Sequence, residues 1–145
     1  MIYYNLLIAI ILFSLLILTL WNIRILSKKN LLKIDTEKLP FISVLVPARN
    51  EEDNIERCIL SLLNQDYTEY EVIVLDDNST DNTLNILQKI KIKYPELIII
   101  NGNELPEGWA GKNYACHCLS QKAKGSWLLF TDADTIHNKN SLKLS

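Results

Sequence analysis

Residues 41–53 read FISVLVPARNEED, and the change of character at Pro47 decides the fold. Before it, residues 41–46 are apolar and rich in β-branched side chains, as a strand buried on both faces must be. After it, Glu51, Glu52 and Asp53 lead into a segment whose Ile55, Cys58, Ile59, Leu62 and Leu63 recur on one helical face. Acidic side chains favour the positive end of a helix dipole, so the spacing predicts a helix over residues 51–63.

The same alternation continues toward the C-terminus. Residues 71–75 (EVIVL) form a second expected strand, and Asp81 or Asn82 caps a second helix that runs to about Tyr94 and stops at Pro95. Residues 97–100 (LIII) make a third strand, ended by Asn101 and Gly102. Residues 112–123 suit a helix and residues 127–130 (WLLF) a fourth strand. Strands alternating with helices imply right-handed βαβ units and a parallel sheet. Ligands of such sheets collect at the carboxyl ends of the strands. The sequence shows no internal repeat and no low-complexity segment.

Toward the N-terminus the chain changes solvent. Residues 2–23 contain no Asp, Glu, Lys or Arg, so all 15 basic and all 17 acidic residues of the 145 lie after Ile23. About 20 helical residues cross a hydrocarbon core of roughly 30 Å. Tyr3, Tyr4 and Trp21 stand near the ends, where amphipathic rings favour the interface. A cleaved signal peptide would need a basic flank and small residues at the cut, and this segment has neither. The expectation is a single transmembrane helix over 2–23 and a basic connector over 24–40. Residues 41–145 then form the remaining domain. Arg24, Lys28, Lys29 and Lys33 follow the helix, which places that domain on the cytoplasmic side of the cell membrane. Three cysteines, an odd number, suit a reducing compartment rather than a disulfide scaffold. Asn78-Ser79-Thr80 matches a glycosylation acceptor, but in the cytosol it must do something else.

Composition excludes further classes. With 48% hydrophobic residues and a net charge of −2, the chain is neither disordered nor a basic nucleic-acid binder. Gly111-Lys112 is no P-loop, because Pro106 and Asn113 occupy positions that motif needs. No Gly-x-Gly-x-x-Gly follows a strand. Cys116-His117-Cys118 cannot close a zinc site, since neighbours on a helix point about 100° apart. His137 reads as a solvated tail residue.

Chemistry concentrates at three strand ends: residues 47–52 (PARNEE), 76–81 (DDNSTD) and 132–134 (DAD). Carboxylates brought together repel unless a cation or hydrogen-bond donors sit among them. A hard divalent ion such as Mg²⁺ or Mn²⁺ resolves this, and it also steadies a departing diphosphate.

Residues 44–52 (VLVPARNEE), 74–81 (VLDDNSTD) and 129–134 (LFTDAD) resemble, in order, the motifs of family 2 glycosyltransferases. Residues 108–115 (GWAGKNYA) resemble the subgroup of ceramide glucosyltransferase-like, hopanoid-associated and diaponeurosporenoate-type enzymes. The resemblance implies an α/β fold, the Rossmann-like nucleotide-sugar half of a GT-A fold. It implies a UDP-sugar donor, a Mn²⁺ or Mg²⁺ cofactor and, with the expected anchor, a lipid acceptor. By the same resemblance, Pro47 and Ala48 shape the loop beside uracil, and Glu51 contacts the nucleoside. Asp76 or Asp77 meets the base, with Asp76 the aligned candidate. Lys112 lies near the diphosphate, Asp132 meets the ribose or the metal's hydration shell, and Asp134 ligates the metal. Arg49 is not assigned.

The family's chemistry inverts the anomeric carbon, with a carboxylate beyond the Asp-x-Asp pair as general base. No Asp or Glu follows Asp134, so no catalytic base is assigned and the chain alone is expected to be inactive. Three readings stay open: the amino-terminal part of a membrane glycosyltransferase, a nucleotide-sugar-binding module that works with a separately encoded half, or a nonfunctional remnant. No residue points to a particular protein partner.

Overall fold

The computed structural model describes residues 2–28 and 39–144, which fall into two compact units, residues 1–35 and 36–145. The described residues of the first unit form one helix, α1 (Ile2–Lys28). Its residues 3–25 are long and apolar enough to cross a membrane, and every one is exposed. Ser14 and Thr19 turn their hydroxyls back onto the carbonyls of Ile10 and Leu15, both at 2.8 Å, so these two side chains satisfy their donors within the helix. The helix continues past Ile23, so the first residues of the expected connector, Arg24 to Lys28, are helical. Residues 29–38 of the expected connector, with Lys29 and Lys33, lie outside the described residues.

The second unit carries β1 (Ile42–Ala48), α2 (Ile55–Leu63), β2 (Tyr70–Asp76), α3 (Thr83–Lys93), β3 (Ile98–Asn101), α4 (Gly111–Lys122), β4 (Trp127–Phe130) and a short α5 (Ser141–Leu144). All strand pairs are parallel, in the order β3-β2-β1-β4. Successive side chains of β1 point to opposite faces. Val44 and Val46 join Ile55, Ile59, Leu62 and Leu87 in a layer with α2 and α3, whereas Leu45 joins Ile73, Leu75 and Leu119 in a layer with α4. Each fully buried Leu or Ile here contributes about 1.5–3 kcal/mol relative to exposure.

The expected strands and helices of the second unit all form, with bounds shifted by one or two residues except at one place. The helix expected from Glu51 begins only at Ile55. Asn50 has φ 56°, outside the helical region; the Glu51 carboxylate accepts from Asn54 Nδ2 at 3.3 Å, and Glu52 serves the neighbouring loop instead. The Glu52 carboxylate accepts from the amide of Asn82 at 3.0 Å, so it caps α3 rather than α2. β4 is also less buried than an apolar strand suggests. It pairs with β1 alone among the described residues, and Trp127, Leu128 and Phe130 are exposed.

His137 is not a solvated tail residue. Its Nε2 lies 2.8 Å from Thr131 Oγ1, its amide donates to Ser61 Oγ, and burial lowers its pKa from 6.5. Nearby, Gln65 donates to the Asn138 carbonyl and accepts from the Leu142 amide, which fastens residues 137–142 to the end of α2.

Candidate functional site

The chain leaves β1 toward β2 on one side, while β4 lies on the other side of β1. This is the topological switch point at which open α/β sheets bind ligands. A cleft of about 320 Å³ opens there. Pro47, Ala48, Arg49 and Glu51 line it from the end of β1, Asp77 from the end of β2, and Asp132, Ala133 and Asp134 from the segment after β4. Gly111, Lys112 and Ala115 close it from the start of α4. Seven of the eight residues singled out by sequence therefore meet in one place.

Asp76 is the exception. It is 4% exposed and does not line the cleft; its Oδ2 accepts from the Ser79 amide at 3.4 Å, and its buried Oδ1 has no hydrogen-bond partner. The strand register explains the contrast with Asp77. Asp76 is the last residue of β2, opposite Ala48, and its parity is that of Val72 and Val74, which face the α2–α3 layer. Asp77 falls on the other parity, toward α4 and the cleft. Its amide donates to the Ala48 carbonyl at 2.8 Å, extending the ladder by one step.

Two ion pairs arm the cleft. Arg49 Nη1 stands 3.6 Å from Asp77 Oδ2, and Lys112 Nζ stands 2.6 Å from Asp132 Oδ1. The hydrogen bond that Lys112 donates to the Asp132 carboxylate raises the Lys112 pKa above its ordinary value. Asp134 is different: it makes no ion pair among the described residues, and its Oδ1 only accepts from Thr135 Oγ1 at 3.4 Å. Below the floor, burial and the charges of Asp134 and Glu51 push the Cys58 thiol up to about 11, which makes it an inert packing group. All three cysteines are free.

The donor set suits a cation that brings most of its own ligands. No group of three or more His, Cys, Asp or Glu among the described residues could hold a metal by itself. Mg²⁺-like ions keep several waters and bind through one or two carboxylates plus substrate phosphates. Asp134 with Asp132 beside it fits that pattern and no all-protein cage.

Sequence reasoning marked residues 47–52 and 76–81 as clusters but missed that their polar side chains tie the two loops beside the cleft to each other. Asn50, Glu52, Ser79, Thr80, Asp81, Asn82 and Thr83 are joined by side-chain hydrogen bonds between the β1–α2 and β2–α3 connections. The density of Asn, Asp, Ser and Thr in both loops was the available signal.

Residues 43–144 match the family described as Glycosyl transferase family 2. The chain is 36% identical over 113 residues to the 4,4'-diaponeurosporenoate glycosyltransferase of Staphylococcus haemolyticus, an alignment covering 77% of this chain and 29% of that one. Its structure is similar to that of S. aureus TarS 1–349 in complex with UDP, with a TM-score of 0.60, 38% identity, and 70% of this chain and 30% of that one covered. It is likewise similar to the mannosyltransferase PcManGT from Pyrobaculum calidifontis in complex with GDP-Man and Mn²⁺, with a TM-score of 0.60, 31% identity, and 69% and 29% covered. The chain spans less than a third of the length of each of these relatives.

Proposed function

The chain belongs to glycosyl transferase family 2, its parallel sheet matching the Rossmann-like part of a GT-A fold, and from that premise we propose that its cleft holds the nucleoside diphosphate of a UDP-sugar. The observation that carries this reading is the convergence of Pro47, Ala48, Glu51, Asp77, Lys112, Asp132 and Asp134 on one cleft at the switch point. UDP is preferred as the nucleotide because TarS, at 38% identity, has been solved with it bound.

The residues divide the work along the cleft. Pro47 and Ala48 wall the base, and Glu51 meets the nucleoside. The Asp77 carboxylate, oriented by Arg49, accepts a base N–H, while buried Asp76 holds the loop beneath it. Lys112 moves from Asp132 to the diphosphate, where its charge offsets the phosphates. Asp132 is then free for the ribose or the water shell of a cation, which Asp134 would hold. A divalent ion held there supplies positive charge to the leaving diphosphate. Sugar transfer proceeds with inversion to a lipid acceptor, in keeping with a helix apolar enough to anchor the chain in the cell membrane; the basic residues after that helix favour a cytoplasmic cleft.

Calorimetric titration of the full chain in detergent with UDP tests this. UDP should bind one to one only when Mn²⁺ or Mg²⁺ is present, and Asp134→Asn should abolish that metal-dependent binding. A folded chain that ignores UDP in the presence of Mn²⁺ would sink the reading.

A further inference from the structure

The tripeptide Asn78-Ser79-Thr80 and its neighbours face residues 50–52 beside the cleft. β1 and β2 run side by side with Ala48 opposite Asp76, so the two connections leave the sheet together. Between them lies a set of reciprocal bonds. The Asn50 amide donates to Ser79 Oγ at 3.0 Å, and Asn50 Oδ1 accepts from the Thr80 amide at 2.8 Å. The Glu51 amide donates to Thr83 Oγ1 at 2.8 Å, and the Glu52 amide to Asp81 Oδ2 at 3.1 Å. Ser79 is in turn fixed through its own amide to the buried carboxylate of Asp76.

Asn50 is the centre of this clasp. It holds a left-handed backbone, φ 56°, a conformation that Asn tolerates better than other side chains with a Cβ. Its two sequence neighbours, Arg49 and Glu51, both line the cleft, and Arg49 reaches Asp77 on the other loop. A left-handed residue between them reverses the chain locally, which lets both neighbours face inward while Asn50 itself turns to the opposite loop. We propose that Asn50, through the clasp, is a positioning residue that sets the spacing between Arg49–Glu51 and Asp77 and so shapes the end of the cleft that receives the base. This assignment rests on the donor reading above and extends it, since Asn50 does not line the cleft. The phosphate end, built from Lys112, Asp132 and Asp134 on other elements, does not depend on it.

The test compares two probes with Mn²⁺ present: UDP, which fills the whole cleft, and inorganic pyrophosphate, which fills the phosphate end. Asn50→Gly keeps the left-handed backbone free of strain but removes the acceptor for Thr80. It should weaken UDP about tenfold, the scale of losing one well-placed hydrogen-bond network, and leave pyrophosphate unchanged. Asn50→Asp keeps both the acceptor and the tolerated backbone and should stay near wild-type affinity. Ser79→Ala, which breaks the clasp from the other loop, should repeat the selective loss in milder form. Unchanged pyrophosphate binding shows at once that each variant is folded. If UDP binds Asn50→Gly and Ser79→Ala as tightly as wild type, or if both probes weaken together, the positioning role is overturned while the donor reading stands. Failure of the folded wild-type chain to bind UDP overturns the donor reading, and this assignment with it.

Discussion

The two ends of the sheet use the same device for opposite purposes. At the amino ends of the strands, buried Ser43 donates to Glu71 Oε1 at 2.5 Å and accepts from the Gly125 amide at 2.8 Å, while Glu71 Oε1 also accepts from the Lys124 amide. At the carboxyl ends, Asn50, Ser79, Thr80 and Glu52 bridge two connections in the same way, but they do so in solvent. Around Ser43, which is fully buried, the knot leaves no room even for a Cβ at Gly125. The exposed clasp leaves a cleft beside it, lined by ion pairs that water can reach and a ligand can exchange. Polar bonding between neighbouring loops therefore closes one end of this sheet and holds the other open.

Two glycines bring out the contrast most strongly. A Cβ at Gly125 would lie 2.5 Å from the Ser43 amide nitrogen and 2.8 Å from the Phe41 carbonyl oxygen, both backbone atoms. Gly125→Ala should therefore displace the α4–β4 connection from β1 and cost about 3 kcal/mol, at the upper end of overpacking effects. At the other end, a Cβ at Gly102 would lie 3.0 Å from the Asp76 carbonyl oxygen and from Asp77 Cα. A shift of a few tenths of an ångström relieves that, so Gly102→Ala should cost only about 1 kcal/mol but move Asp77 and weaken UDP. Thermal melts and UDP titrations of the two variants check both halves. The comparison breaks if Gly125→Ala melts like wild type, or if Gly102→Ala loses stability without losing affinity.

The Lys112–Asp132 pair sharpens the claim that the open end is exchangeable. Both side chains are more than half exposed, at 65% and 60%, so the pair adds little to stability. It does hold a positive charge where a cation would approach. Lys112→Met should leave the melting temperature unchanged and strengthen the binding of Mn²⁺ alone, by about threefold for removal of a screened like charge. The same variant should weaken pyrophosphate. Opposite signs for the two ligands are the signature to look for in paired titrations. Equal losses for both would mean that Lys112 is structural.

Much of this contrast was readable from sequence, and what was missed has physical causes. The strands, the helices and the loops that carry acids follow from periodicity that each segment contains within itself. The choice between Asp76 and Asp77 required the face of β2, which follows only once Val72 and Val74 are known to pack against α2 and α3. The late start of α2 was hidden because the partners of Glu51 and Glu52 lie about 30 residues away in sequence, at Thr83, Asp81 and Asn82. Exposure of β4 depends on its place at the edge of the sheet, which composition does not encode. His137 looked solvated because the groups that bury it belong to α2 and to the turn after β4.

His137 also supplies the smallest effect, and it bears on whether the segment after Asp134 belongs with the closed end or the open one. Burial lowers its pKa below 6.5, so the folded chain prefers the neutral ring more than the unfolded chain does. The linkage sign follows: above the unfolded value the contribution is fully present, and it is lost as the pH falls through the lowered folded value. The chain should therefore melt progressively lower between about pH 6.5 and pH 5, within the range where a histidine changes charge. His137→Gln keeps a polar group near Thr131 but cannot titrate, so it should flatten that part of the curve while leaving UDP affinity at pH 8 untouched. A half-buried anchor behaves this way because it resembles the knot at the amino ends, in which bonding serves stability alone. If His137→Gln instead weakened UDP at pH 8, residues 137–142 would belong to the cleft, and the division between a closed and an open end would not extend to them.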